Sequence, residues 1–427
     1  MAQQVNPPRG MRDFLPADKS AREAILSIIR RTYLAHGFDE IETPVAEDSE
    51  RLHAGLGGDN EKLAFAIMRR GLRVEDLHTA EAPLDLADLG LRFDLTVPLA
   101  RFYATHRAEL PRPFRAIQMA PVWRAERPQK GRYRQFVQCD IDIIGEAGPL
   151  AEIELLTASV AAIRALGIDD FTIRVNDRRL LIGMLEYFGF SADEHDQVLI
   201  TVDKLDKIAA AGVVAELRER GMAAGAVEAL EAFLTRPAAA EAPRFGEAQI
   251  RAALPEGLDS PAIAELAMIG EAVTAAVGGD VVAYDPWLVR GMGYYTGPIF
   301  EVAHPELGYS FGGGGRYDGM IGRFLGEDVP AAGFSLGFER LVDLVTLPAG
   351  AGSNATAIVY DSSADPRTIV AVRDRVVAAG GTARLVKRPK KLAQALDALA
   401  TDGITEFYLV DESTDAAAVE AKPLAAR

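Results

Sequence analysis

The chain has 427 residues, 49% apolar and 25% charged, an ordinary balance for a globular enzyme of two or three domains. Its formal net charge of −16 argues against a generic nucleic-acid binder, so any RNA contact must rest on local basic patches. A single cysteine, Cys139, rules out an intrachain disulfide and fits a reducing compartment. No stretch reaches the roughly 18 apolar residues of a membrane helix, and Met1–Val5 begins no signal peptide.

In chain order, Lys19 to Ala35 reads as a helix, with Ile25, Ile28, Ile29 and Tyr33 on one stripe and Gly37 just past its end. A short strand to Thr43 follows, stopped by Pro44. Residues 58–90 are acidic and give no clear hairpin. Leu91 to Val97 alternates as a strand, with Arg92, Asp94 and Thr96 on one face and Pro98 closing it. The run Trp123 to Phe136 packs Arg124, Arg127, Lys130, Arg132 and Arg134 around a Pro-Gln-Lys-Gly turn. Two strands joined by such a basic loop suit a site that grips a polyphosphate, because guanidinium groups donate in pairs to phosphate oxygens. The strand that follows puts Val137, Cys139, Ile141 and Ile143 on one face and Gln138, Asp140 and Asp142 on the other. Cys139 on the apolar face reads as a core thiol. Carboxylates buried on the polar face need cationic partners, which an α-ammonium or an imidazole would supply.

Residues 151–166 read as a helix and Phe171 to Val175 as a strand. From Arg178 to about Gly279 the pattern is helical, interrupted by a proline-bounded joint at Arg236–Pro243. Strand-like segments run from Val281 to Gly337, punctuated by Gly312–Gly315, where backbones can approach closely. A helix from Phe338 carries Arg340 in its first turn, a combination that favours anions. Leu347–Asn354 is the clearest linker. Beyond it, strand 357–360, helix 366–379, strand 382–387, helix 389–399 and strand 406–410 alternate as a small parallel α/β domain. Two basic patches stand out. One holds Arg112 and Arg115 with the arginines of the basic loop, facing little acid; the other is Arg384, Lys387, Arg388, Lys390 and Lys391.

These residues carry a resemblance. Arg124 to Phe136 resembles motif 2 of class II aminoacyl-tRNA synthetases, in the wording of the histidyl-tRNA synthetase family. Arg9–Pro16 resembles that family's N-terminal signature, Leu288–Gly297 its histidine-binding motif, Gly314–Gly319 its second histidine motif and Gly333–Leu341 its motif 3. Five motifs in the family's order span roughly residues 6 to 410. The resemblance implies an α+β fold: an antiparallel-sheet class II core with a helical insertion, and a small α/β anticodon-binding-like domain. The implied parts are 1–172 and 280–346 for the core, 173–279 for the insertion, 347–355 for a linker and 356–427 for a shortened C-terminal domain. Asn176–Arg178 and Val202–Lys207 resemble the eukaryote-like branch.

The resemblance further implies activation of L-histidine by ATP, carried as its Mg²⁺ complex with no dedicated protein metal site. Transfer to tRNA(His), a cytoplasmic location and a homodimer with Pro44 at its interface follow from the same source. It assigns Arg124 and Arg290 to catalysis at the α-phosphate. Glu126, Arg132, Phe136 and Arg340, with Arg124, would hold ATP, and Phe136 would stack on adenine. Asp94, Thr96, Gln138, Asp142, Arg290, Tyr294, Tyr295 and Tyr317 would hold histidine. Gly293 stands where the family motif often has Asp, and Asp94 and Asp142 stand where much of the bacterial branch has Glu. The rival reading is the non-catalytic regulatory subunit of ATP phosphoribosyltransferase, which shares the fold but typically lacks the basic loop and the C-terminal domain.

Overall fold

The computed structural model describes residues 5–53, 63–129, 131–236, 245–290, 294–346 and 355–424. The chain forms two compact units, residues 1–12 with 28–345 and residues 13–27 with 346–427. Helix α1 (Pro16–Ala35) contributes to both. Proline is tolerated in its first turn, where an N–H has no partner anyway. The helix buries Ile25, Ile29 and Tyr33 and gives way at Gly37, whose φ is +83°.

In the larger unit, α1 leads to β1 (Asp39–Glu40), β2 (Ala46–Asp48) and α2 (Ser49–Leu52). Then β3 (Phe65–Met68), α3 (Val74–Thr79) and β4 (Ala87–Leu91) complete a three-stranded antiparallel sheet in the order β2-β4-β3. A β3–β4 hairpin therefore occupies residues 65–91, almost all of it in the stretch 58–90 that gave no clear hairpin, with α3 in its connection. The strand expected over Leu91–Val97 ends instead at Leu91. Helix α4 (Thr96–His106) starts five residues later, and Pro98 sits inside its first turn rather than closing a strand. Asp94 Oδ1 accepts the Val97 N–H at 3.2 Å, which satisfies one of the orphan donors of the helix start.

Next come β5 (Phe114–Trp123), β6 (Gln135–Ile144), α5 (Leu150–Ala165) and β7 (Thr172–Asp177). The helices α6 (Arg178–Phe188), α7 (His195–Val202), α8 (Leu205–Glu219), α9 (Ala224–Leu234), α10 (Glu247–Ala253) and α11 (Pro261–Val277) fill the segment read as helical. The chain returns through β8 (Val282–Tyr284), β9 (Pro298–Ala303), β10 (Gly312–Arg316), α12 (Asp318–Leu325), β11 (Ala331–Gly337) and α13 (Phe338–Val342). Helix α12 is an addition to the strand-like reading of 281–337. The main sheet runs β1-β5-β6-β11-β10-β9-β7-β8, antiparallel in its middle and parallel only at the β1–β5 and β7–β8 edges. Helix α5 packs on β6 and β11 and buries Leu155, Leu156 and Ile163 completely. Strand alternation sends Cys139, Ile141 and Ile143 into the core, each fully buried, and Gln138, Asp140 and Asp142 into a cavity.

In the smaller unit, β12 (Ala355–Tyr360), α14 (Pro366–Ala378), β13 (Thr382–Lys387), α15 (Leu392–Thr401), β14 (Glu406–Val410) and β15 (Lys422–Pro423) form a sheet ordered β13-β12-β14-β15. The first three strands are parallel and β15 is antiparallel to β14. One side packs around Ala357, Val359, Leu399 and Phe407, the other around Ile358, Ile369, Val372 and Val410. Helix α15 begins at Leu392 rather than Pro389. Cations at Lys390 and Lys391 are unfavourable in a first helical turn. The joint 237–243 and the linker 347–354 lie outside the described residues. Among the described residues no helix is long and apolar enough to cross a membrane.

Candidate active site

A cavity of about 690 Å³ opens on the face of the main sheet opposite α5. Its floor is carboxylate-rich because β6 and β11 are neighbours. Their register sets Gly333 across from Asp142, Ser335 across from Asp140 and Gly337 across from Gln138. A Cβ on Gly333 would stand 2.0 Å from Asp142 Oδ1, so only glycine leaves the carboxylate its place. The Tyr317 hydroxyl donates to Asp142 Oδ1 at 2.6 Å. Burial pushes the Asp142 carboxyl up to about 7; the Tyr317 hydrogen bond opposes this and the Asp94 charge adds to it. Burial, and then the Asp142 charge, push Asp140 well above the usual carboxylate range, against the hydrogen bond from Ser335. Asp94 and Thr96, at the start of α4, complete this acidic end. Tyr295 is buried beside it, and Tyr294 packs on Tyr295 with ring centroids 4.3 Å apart.

The opposite wall is cationic. Arg290 Nη1 donates to Glu301 Oε2 at 2.6 Å, and Glu301 also accepts from Arg174 at 3.3 Å. The guanidinium of Arg290 fills the space where a side chain on Gly313 would begin: a Cβ there would lie 2.7 Å from its Cζ. Arg124 Nε donates to the Phe93 carbonyl at 2.9 Å, and its guanidinium sits 5.2 Å from the centroid of the Phe136 ring. Arg132, half-exposed, faces Glu126 at 3.6 Å. Gln129 and Arg132 exchange backbone hydrogen bonds across the loop tip, where Gly131 has φ +75°. Lys130 lies outside the described residues. Arg340 donates to the Ser310 carbonyl, and burial followed by the Arg132 charge pushes it below the usual arginine range. Crowded cations of this kind favour an anion between them. Helix α13 is only five residues long, so the arginine side chains carry this wall.

All the residues that the resemblance assigned to ATP, histidine or catalysis line this cavity. Asp94, Thr96, Gln138, Asp142, Tyr294, Tyr295 and Tyr317 line the acidic end, and Arg124, Glu126, Arg132, Phe136, Arg290 and Arg340 line the rest. Gly291–Gly293 lie outside the described residues. Arg92 turns away: it is buried and donates to the carbonyls of Thr43, Pro44 and Pro121. Arg115 does not face open solvent as part of a basic patch, because Glu154 holds both Nε and Nη2 at 2.6 Å. In the second patch, Arg384 faces Asp402 at 3.3 Å and Arg388 faces Asp361 at 3.5 Å. The sequence reading missed Glu301, Asp203, Ser335 and Glu339 as cavity residues. Glu339 pairs with Arg12, while the Gly10 carbonyl accepts the Arg134 N–H at 2.8 Å. The N-terminal signature thus braces the basic loop from behind. Among the described residues no group of three or more His, Cys, Asp or Glu could hold a metal ion.

The family model described as Histidyl-tRNA synthetase matches residues 10–341. A histidine–tRNA ligase of Leifsonia xyli subsp. xyli is 57% identical over 99% of each chain. One of Aeropyrum pernix is 41% identical over 79% of this chain and 73% of its own. Among solved structures, a histidyl-tRNA synthetase from Nostoc sp. PCC 7120 is 26% identical with a TM-score of 0.75, covering 99% of this chain and 97% of its own. A Bacillus halodurans structure titled as an ATP phosphoribosyltransferase regulatory subunit/histidyl-tRNA synthetase has a TM-score of 0.74 at 22% identity, covering 96% of this chain and 98% of its own, a likeness of fold alone. With a complete basic loop and a ligase as its 57% relative, the regulatory reading is not favoured. The chain belongs to the histidyl-tRNA synthetase family.

Proposed function

We propose that this chain activates L-histidine with ATP and passes the histidyl group to tRNA(His). The observation that carries the reading is one cavity with a carboxylate floor at one end and clustered arginines at the other. An amino acid is a cation and an anion a few ångströms apart. Its ammonium group suits Asp94, Thr96 and Gln138 at the acidic end, while its carboxylate points toward Arg124 and Arg290. Asp142 serves the ammonium group and the atoms around it, and Tyr295 and Tyr317, with Tyr294 packed on Tyr295, read the imidazole, since phenol hydroxyls can match one donor and one acceptor nitrogen. A ring lacking those nitrogens would leave buried polar groups unpaired.

ATP enters as its magnesium complex, the metal belonging to the substrate. Phe136 stacks on adenine, and Glu126, Arg132 and Arg340 hold the base and outer phosphates. A histidine carboxylate oxygen attacks the α-phosphorus; the new C–O–P bond forms as the bond to pyrophosphate breaks. Charge gathers on the α-phosphate oxygens, which Arg124 and Arg290 would meet from the cavity wall, so catalysis is positioning plus preset cations. A ribose hydroxyl of the tRNA end then attacks the acyl carbon and AMP leaves. Pro44 at a two-fold interface and a cytoplasmic setting complete the proposal, the first tested by sedimentation. Exchange of labelled pyrophosphate into ATP, with each of the twenty amino acids singly, tests the whole. Exchange with histidine alone is expected. Histidine binding without exchange would overturn the catalytic reading in favour of a histidine sensor.

A further inference from the structure

Under the acidic end of the cavity runs a hydrogen-bond chain that none of these roles uses. Gln138 Nε2 donates to Ser335 Oγ at 3.1 Å and lies 3.4 and 3.3 Å from the two carboxylate oxygens of Asp140. Ser335 Oγ donates in turn to Asp140 Oδ1. The β6–β11 register sets Ser335 directly opposite Asp140, so sheet pairing fixes this meeting. The chain ends on the Asp140 carboxylate, which both the Gln138 amide and the Ser335 hydroxyl face, Ser335 Oγ also accepting from the amide.

The consequence falls on the other end of the amide. Gln138 is 9% exposed and Asp140 4% exposed, and both line the cavity. Gln138 Oε1 is buried with no hydrogen-bond partner. An unmet buried carbonyl destabilises the ligand-free site, a cost relieved when a donor arrives with the ligand. The two ends of a primary amide are nearly the same size but opposite in polarity. Turned over, the amide would present N–H groups to the cavity and repel a cation there.

We infer that Asp140, acting with Ser335, is a positioning residue that holds the Gln138 amide with its NH2 inward, so that Oε1 accepts from the α-ammonium group of the bound amino acid. This rests on the histidine-binding reading of the cavity. Asp140→Asn keeps the shape but offers Gln138 a donor where it had an acceptor, which favours the flipped amide. Ser335→Ala removes the relay and leaves every charge in place.

The test compares two probes by equilibrium dialysis: L-histidinol, which keeps the amine, and imidazole-4-propionate, which lacks it. D140N is expected to weaken histidinol about 10- to 100-fold and S335A about 3- to 10-fold, with imidazole-4-propionate changed by less than about 3-fold in both. In a Gln138→Met background both losses should shrink below about 3-fold, because there is no amide left to orient. Equal losses for both probes, or none for either, would overturn the inference. So would losses that persist at full size without Gln138, which would mean that Asp140 acts on the ligand directly. If the wild-type protein bound neither probe, the histidine-binding reading itself would fail and take the inference with it.

Discussion

Gly313→Ala moves Arg290 without removing it. The added Cβ would lie 2.7 Å from Arg290 Cζ, 2.9 Å from its Nη1 and 2.6 Å from the Phe300 carbonyl oxygen. Carbon atoms settle at about 3.5–4.0 Å, and the Phe300 carbonyl belongs to a paired strand and yields little. The guanidinium therefore retreats by about 1 Å, roughly the misplacement that costs 100-fold in a positioned reaction. The strand itself is strained by about 1–3 kcal/mol, so a stability effect has to be separated from the kinetic one. Gly312→Ala supplies the control. Its Cβ would crowd Leu336 Cδ2 at 3.0 Å and the Ser335 carbonyl at 3.2 Å, on the face of the sheet away from Arg290. In histidine-dependent pyrophosphate exchange, G313A should lose about 100-fold in kcat, a barrier change of about 2.7 kcal/mol, and G312A less than about 5-fold. Urea melts should show comparable destabilisation of both. Exchange by G313A within threefold of G312A would refute the placement of Arg290 at the reacting phosphate.

The pH dependence of the histidine KM follows from Asp142, whose carboxyl is pushed up to about 7. A bound imidazole or ammonium prefers the ionised form, so KM should fall as pH rises toward 7 and level off above it. Tyr317→Phe removes a hydrogen bond that favours the ionised carboxylate, so the inflection should move up; titration of the substrate's own ring would leave it where it was. The same shift makes the stabilising contribution of Asp142 fully present below about 4 and lost as pH rises through about 7. Urea midpoints of the ligand-free protein across that range, compared with those of Asp142→Asn, should show it. Arg92→Ala leaves three backbone carbonyls without their donor and should lower stability by about 3 kcal/mol in urea melts. An unchanged midpoint would move Arg92 out of the core and back toward the ligand. Phe136→Ala should raise the KM for ATP about tenfold in the exchange assay while the histidine KM stays within threefold, because stacking on one base carries about 1–3 kcal/mol.

The polar face of β6 was legible because a half-buried strand has a period of two, and Gln138, Asp140 and Asp142 keep it without interruption. The same rule misread Leu91–Val97. Leu95 and Val97 alternate with polar residues as a strand would, but they pack as the start of α4 and are buried with Leu99 and Ala100. Pro98 is compatible with either reading, since a first helical turn and a strand end both lack a use for its N–H. The β3–β4 hairpin was hidden for a different reason. Only Gly90 of its strand residues is buried, the others being half-buried or exposed, so the strands carry little of the periodicity that a core face imposes. The Glu301 pairing with Arg290 has no local signal at all. Eleven residues separate the two, and they meet because β10 lies beside β9 with Gly313 across from Glu301. Ser335 and Asp140 meet through register in the same way.

The arrangement of charge explains why one chain of net charge −16 can hold so many arginines over a set of carboxylates. If the two sets paired with each other, the cavity would be neutral and have little reason to bind a zwitterion. The observed pairings keep them apart. Arg290 is held by Glu301, Arg132 faces Glu126, and Arg340 and Arg124 donate to backbone carbonyls. On the floor, Asp142 takes its hydrogen bond from a tyrosine and Asp140 takes its own from a serine and an amide. Arg124, Arg340, Asp140 and Asp142 have neutral partners, which leave their fields directed into the cavity, whereas Glu301 and Glu126 offset part of the charge of Arg290 and Arg132. Burial, and after it the neighbouring carboxylates, raise the carboxyl pKa values of the floor, and burial followed by the Arg132 charge drives Arg340 on the wall below the usual arginine range. Both strains are relieved together by a ligand that is cationic at one end and anionic at the other. On this argument the histidine carboxylate and the α-phosphate of ATP draw on the same arginines, so histidine and ATP should bind with negative coupling; equilibrium dialysis of histidine with and without a non-hydrolysable ATP analogue reads the sign, and tighter histidine binding in the presence of the analogue would refute the argument.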